Sequence, residues 1–169
     1  MLRAILRIAV IFILLLVILA LTHQDRELRT EISIDAPPET VWRVLTATAA
    51  YPEWNPFLVR VQGGLAAGEK LAITARPPGE SEMSFTPTVL AVLPNRELAW
   101  RGDLPIPGLF TGEHRFLLEP AAGGHTRLVQ SEKFTGLLIG PLTRSMLDHT
   151  GAGFAEMNLA VKIQSESRQ

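Results

Sequence analysis

From Leu58 to Thr135 the chain is a series of short apolar runs cut by turn residues, and this punctuation restricts the fold more than any other feature. The breaks fall at Gly63-Gly64, Gly68, Pro77-Pro78-Gly79, Pro94-Asn95, Pro105 to Gly108 and Gly123-Gly124. The runs between them predict strands near 58–62, 70–75, 83–92, 96–101, 111–119 and 126–134. Residues 28–34, which alternate apolar and polar from Leu28 to Ile34, add a first strand and make seven. The connections are short enough for antiparallel hairpins, most clearly at 93–96 and 120–124.

Helices bracket this block. Residues 35–40 supply Asp35 as a capping residue, Pro37-Pro38 for a first turn and Glu39 near the positive end of the helix dipole. Val41, Trp42, Val44 and Leu45 then fall at helical spacing, which predicts a helix to about Ala47. Between Pro52 and Pro56 only a short helical turn fits, because each proline disfavours helix in the residue before it. The last segment, residues 141–165, carries Leu142, Met146, Thr150, Phe154, Met157 and Val161 at intervals of three and four. Gly151 and Gly153 interrupt it at about 1 kcal/mol each relative to alanine, so a close approach or a kink is expected there. The fold class is α+β.

The N-terminus is of another kind. Ile8 to Leu21 contains no polar side chain, and residues 4–22 at helical rise cover roughly 28 Å, near the bilayer core of about 30 Å. Arg3 and Arg7 lie before or near the start of this stretch without an acid, whereas the charges at 25–29 cancel, so positive-inside places the N-terminus in the cytoplasm and the domain outside it. A cleaved signal peptide followed by secretion is the alternative; the bulky residues through 18–21 suit a cleavage site poorly. The chain therefore divides into a transmembrane signal anchor at 1–23, a tether at 24–27, a domain at 28–165 and a polar tail at 166–169.

Composition narrows the chemistry. The absence of cysteine excludes a disulfide framework, a thiolate nucleophile and a Cys-ligated metal site. A formal charge of −1 without a basic excess argues against a nucleic-acid partner. The sequence has no Gly-x-Ser-x-Gly elbow, paired-histidine zinc motif, phosphate loop or dinucleotide fingerprint, so neither cofactor nor metal is expected.

What remains is a register argument. His114 shares a strand face with Phe116 and Leu118, and in the next strand Leu128, Gln130, Glu132 and Phe134 share a face. If Phe116 points inward, so does His114, and a hairpin brings it opposite Glu132 or Gln130. Such a group is a general acid/base pair, a polar anchor for an otherwise apolar ligand, or a buried network whose members satisfy one another. Trp100 on a central strand is a candidate cavity wall. Trp42 and Trp54 are expected to pack in the core and at a corner, His125 to sit in a turn, and His149 to lie one residue off the buried helix face. The apolar loop 104–110 is a candidate lid or membrane-touching rim.

The strings Ile34-Asp35-Ala36-Pro37 before Val41-Trp42, Tyr51-Pro52-Glu53-Trp54-Asn55-Pro56-Phe57, Leu98-Ala99-Trp100, Thr126-Arg127-Leu128 before Glu132-Lys133-Phe134-Thr135-Gly136, and Gly153-Phe154-Ala155-Glu156-Met157-Asn158 resemble the SRPBCC superfamily of START-like, helix-grip proteins, and within it the polyketide-cyclase/dehydrase-like members. The resemblance covers residues 28–165. It implies a seven-stranded antiparallel sheet curled around the C-terminal helix, with an apolar cavity between them for a hydrophobic small molecule or lipid. Candidate ligand-binding residues are Trp100, His114, Phe116, Gln130, Glu132, Phe134, Met146, Phe154 and Met157, of which His114 and Glu132 are the catalytic candidates. The expected function is membrane-anchored binding, and carriage, of such a ligand, with a membrane contact through residues 4–22. The alternatives are a cyclase- or hydrolase-type enzyme using His114 and Glu132, and a non-catalytic accessory domain for a membrane protein.

Overall fold

The computed structural model describes residues 2–21 and 25–168; the side chains at 2, 4, 15–17, 19–21 and 140–146 lie outside the described residues. Helix α1 (Leu2–Leu21) precedes strand β1 (Arg26–Ile34), helix α2 (Pro38–Thr46) and the short helix α3 (Tyr51–Trp54). Then come β2 (Leu58–Gln62), β3 (Ala72–Ala75), β4 (Met83–Phe85), β5 (Thr88–Leu93), β6 (Glu97–Asp103), β7 (Thr111–Pro120) and β8 (Thr126–Thr135), and finally helix α4 (Ile139–Glu166). One sheet has the order β1-β8-β7-β6-β5 and the other β2-β3-β4. Every paired strand is antiparallel.

The expected single seven-stranded sheet is thus corrected to eight strands in sheets of five and three. The strand anticipated at 83–92 is two, parted at Thr86-Pro87, because proline has no N–H to give to a ladder. The chain changes sheets at this break. Backbone bonds from Leu71 N to Pro87 O (3.0 Å), Gly68 N to Val89 O (2.9 Å) and Val89 N to Glu69 O (2.8 Å) stitch the two sheets together there.

Two local expectations also change. Asp35 does not cap α2: Pro37 holds the cap position without a side-chain bond, and the Asp35 carboxylate meets His125 Nδ1 at 3.1 Å. Residues 2–21 form a continuous helix, yet among the described residues no helix is long and apolar enough to cross a membrane, so the structure does not support the expected transmembrane anchor.

The corner between Pro52 and Pro56 is built from its own side chains. Asn55 Oδ1 accepts hydrogen bonds from Phe57 N and Leu58 N, both at 3.0 Å, which turns the chain into β2. The Tyr51 hydroxyl donates to Leu45 O at 2.7 Å, and its burial pushes the phenol well above the usual tyrosine range. Asn55 thereby delivers Phe57 against α4, where a methyl on Gly153 would run into the Phe57 ring and where Phe57 meets Phe154 edge-on, centroids 5.6 Å apart. The helix glycine thus marks a close approach. Phe154, Met157 and Val161 of α4 are fully buried together with Ile34, Val41, Leu45, Phe116 and Leu128.

The register places one further fact. Arg26 pairs with Phe134, Thr135 with Thr111, and Thr111 with Asp103. The start of β1, the end of β8, the start of β7 and the end of β6 therefore share one end of the five-stranded sheet, and the 104–110 loop joins β6 to β7 at that same end.

Candidate functional site

Along β7 and β8 the alternation of a half-buried strand sets which side chains turn inward. His114 and Glu132 are direct cross-strand partners, as are Phe116 and Gln130. Around His114 the contacts are dense. Its ring stacks on Trp100 with centroids 4.9 Å apart and planes 6° from parallel, and the Phe154 ring meets it edge-on at 4.9 Å. The Gln130 amide nitrogen lies 3.2 Å from His114 Nε2, and Glu132 Oε2 lies 3.5 Å from Nδ1. Gln130 and Glu132 thus face the two ring nitrogens of His114 from opposite sides.

In front of this group lies a cavity of about 250 Å³. Trp100, His114, Glu132 and Phe134 form part of its wall. Phe116, Gln130, Phe154 and Met157 do not; they are fully buried behind the wall as core, with Gln130 also near the Met157 sulfur at 3.8 Å. Period two correctly orients Phe116 and Gln130 inward but carries no information on depth along the strand. The Met146 side chain lies outside the described residues. His125 pairs with Asp35, and His149 Nδ1 lies 2.8 Å from Glu80, so neither reaches the cavity.

Much of the wall was not anticipated. Phe57 and Leu58 come from the Asn55 corner and Met83 and Phe85 from β4, whereas Leu104 and Phe110 belong to the apolar loop named as a candidate lid. The hollow itself has a sequence origin: Gly102 of β6 and Gly112 of β7 pair directly, on the face that carries Trp100 and His114. Two facing positions without side chains leave the interior unfilled. The signal was present as a glycine in each of two strands, a mark of close approach or of space.

The rim is apolar and braced. Leu104, Ile106, Met83 and Phe85 are exposed. Leu104 N donates to Phe110 O at 3.1 Å, and Leu137 N and Leu138 N donate to Gly108 O and Leu109 O, both at 3.0 Å. Gly136, at φ +124°, fits against the Leu109 carbonyl where a side chain would collide.

The fold recurs in solved structures. The Zhui aromatase/cyclase from a Streptomyces species superposes with a TM-score of 0.70 at 20% identity, over 86% of this chain and 96% of that one. A Mesorhizobium loti protein gives 0.65 at 24% identity, covering 85% and 99%, and a Thermus thermophilus protein gives 0.65 at 16%, also covering 85% and 99%. At such identities the likeness is one of fold. No curated protein matches the sequence. The family model described as "Polyketide cyclase / dehydrase and lipid transport" matches residues 25–160, and the chain belongs to that family.

Proposed function

We propose that the chain binds a hydrophobic small molecule in the cavity between its sheets and α4, and holds that molecule beside a bilayer. The observation that carries this reading is the mostly apolar cavity of about 250 Å³ emptied by the Gly102–Gly112 pair. Family membership supports hydrophobic ligand binding. The bilayer half is supported by the apolar helix Leu2–Leu21, which precedes β1 in the chain, and by the exposed Leu104 and Ile106 of the loop at the end of the sheet where β1 begins. In that arrangement a ligand dissolved among lipid tails passes to the cavity without crossing water. Arg3 and Arg7 favour a cytoplasmic N-terminus with the domain on the other side.

Of the sequence-based alternatives, an enzyme using His114 and Glu132 draws support from their side-by-side place in the wall. The geometry favours binding all the same. A general base needs a free lone pair near the reacting atom, whereas His114 has Nε2 occupied by Gln130, one ring face covered by Trp100, and little exposure.

Native mass spectrometry of the full-length chain after mild extraction should reveal a co-purifying or exchangeable apolar ligand. Gly102→Leu, whose added Cβ meets nothing within 4 Å, should keep the fold and lose that ligand. Wild-type protein that neither carries nor takes up an apolar molecule overturns the cavity half. Release of the chain from membranes by alkaline carbonate overturns the bilayer half, and protease digestion of intact cells or vesicles reports the orientation.

A further inference from the structure

Resting on the cavity as a ligand site, we infer that its ligand is a cationic amphiphile: an apolar body bearing an ammonium group, with Glu132 as the counter-charge. The charge inventory comes first. Among the described residues the wall holds two carboxylates, Asp103 and Glu132, and no lysine or arginine. Asp103 is already matched, with Arg101 Nε at 3.0 Å from one oxygen and Thr111 Oγ1 at 2.8 Å from the other. Glu132 has only the ring edge of His114, at the long distance of 3.5 Å. Its neighbour Lys133 points to the opposite face of the strand and meets Asp25 at 3.2 Å.

The surroundings of that carboxylate select a cation over a neutral donor. A methyl built on Gly112 would lie 2.8 Å from Glu132 Oε1, 3.6 Å from Phe134 Cε1 and 3.7 Å from Phe110 Cε1. The carboxylate and two aromatic rings thus converge above one bare stretch of backbone, the ring centroids 5.9 Å apart. An ammonium placed there gains an ion pair in an apolar setting bordered by two aromatic rings. A fatty acid or a phosphate would instead set like charge against Glu132, a repulsive element that rejects anionic lipids. Size adds a second restriction. A volume of about 250 Å³ lies just below the range of ordinary small-molecule sites and suits one chain or a small fused ring better than a two-chain lipid.

The test uses the full-length chain held in an amphipathic polymer, at neutral pH and low ionic strength, titrated with dodecylammonium, dodecanol or dodecanoate and read by native mass spectrometry. The amine should bind about tenfold tighter than the alcohol, with the carboxylate weakest. In Glu132→Gln the amine-to-alcohol ratio should fall to about one, since partition into the polymer is common to both proteins. Gly112→Ala, which displaces the carboxylate without removing its charge, should lower the same ratio, and an unchanged thermal midpoint in either variant assigns the loss to the site. Alcohol or carboxylate binding as tight as the amine in wild type overturns the charge inference and leaves the cavity reading standing. Failure of all three to bind overturns the cavity reading itself.

Discussion

The two ends of the five-stranded sheet carry the same strands and opposite interiors. Toward the β7–β8 turn the inner face is filled by Phe116, Leu118 and Leu128, closed by Val41 and Leu45 of α2 and by Val161 of α4, all at most 2% exposed. Toward the start of β1 the same face offers Gly102 and Gly112, and the space is bounded by rings reaching in from the Asn55 corner, β4 and the apolar loop. The first end is packed by neighbours fixed on regular elements, the second is walled by side chains from loops and short strands. Stability and function therefore draw on different residues of one continuous sheet.

Substitutions should separate the ends sharply. Phe116→Ala empties the packed end and should cost about 3–5 kcal/mol, seen as a large fall in the denaturation midpoint. Gly153→Ala attacks the boundary between the ends, because Phe57 must yield; about 1–3 kcal/mol of stability should go, together with a change in ligand uptake. Gly102→Leu acts on the hollow end alone: unfolding should shift by no more than about 1 kcal/mol while apolar ligand binding disappears. If Gly102→Leu proved as damaging as Phe116→Ala, the contrast between the ends would collapse.

The smallest effect belongs to the outer face. The Glu31 carboxyl is held below its ordinary value of 4.5, first by the hydrogen bond from Arg127. A lowered folded-state value gives stability that is present above 4.5 and is lost as pH falls through the folded value. The Lys162 hydrogen bond does the same for Glu166. Acid titration of the thermal midpoint should show a shallow loss below that pH, shallower still in Glu31→Gln and weakened by salt.

Residues that repeat with a period were legible in advance. The inward face of β7 and β8 and the α4 positions Phe154, Met157 and Val161 follow from spacing alone, whereas spacing leaves His114 opposite Glu132 or Gln130 and the register decides for Glu132. Depth was not, because period two gives His114 and Phe116 the same face although only one reaches the cavity. The split at Pro87 was also obscured, since residues 83–92 read as one apolar run despite the missing N–H donor. Phe57 and Phe85 entered the wall through tertiary placement of a corner and a short strand, where no local period exists to announce them, whereas Phe110 lies in the loop that its apolar composition marks.

The pairing of β1 has a mechanical meaning. β1 lies at the edge of its sheet and runs antiparallel to β8 in unbroken register from Arg26↔Phe134 to Ile34↔Thr126. A load arriving through the preceding residues pulls along β1, so its ladder bonds are stressed in shear and share the force, where a sideways pull would open them one at a time. The edge strand is thereby a load-sharing attachment: tension on the N-terminal segment enters opposite Phe134 and Glu132 of the cavity wall and is distributed along the length of β8.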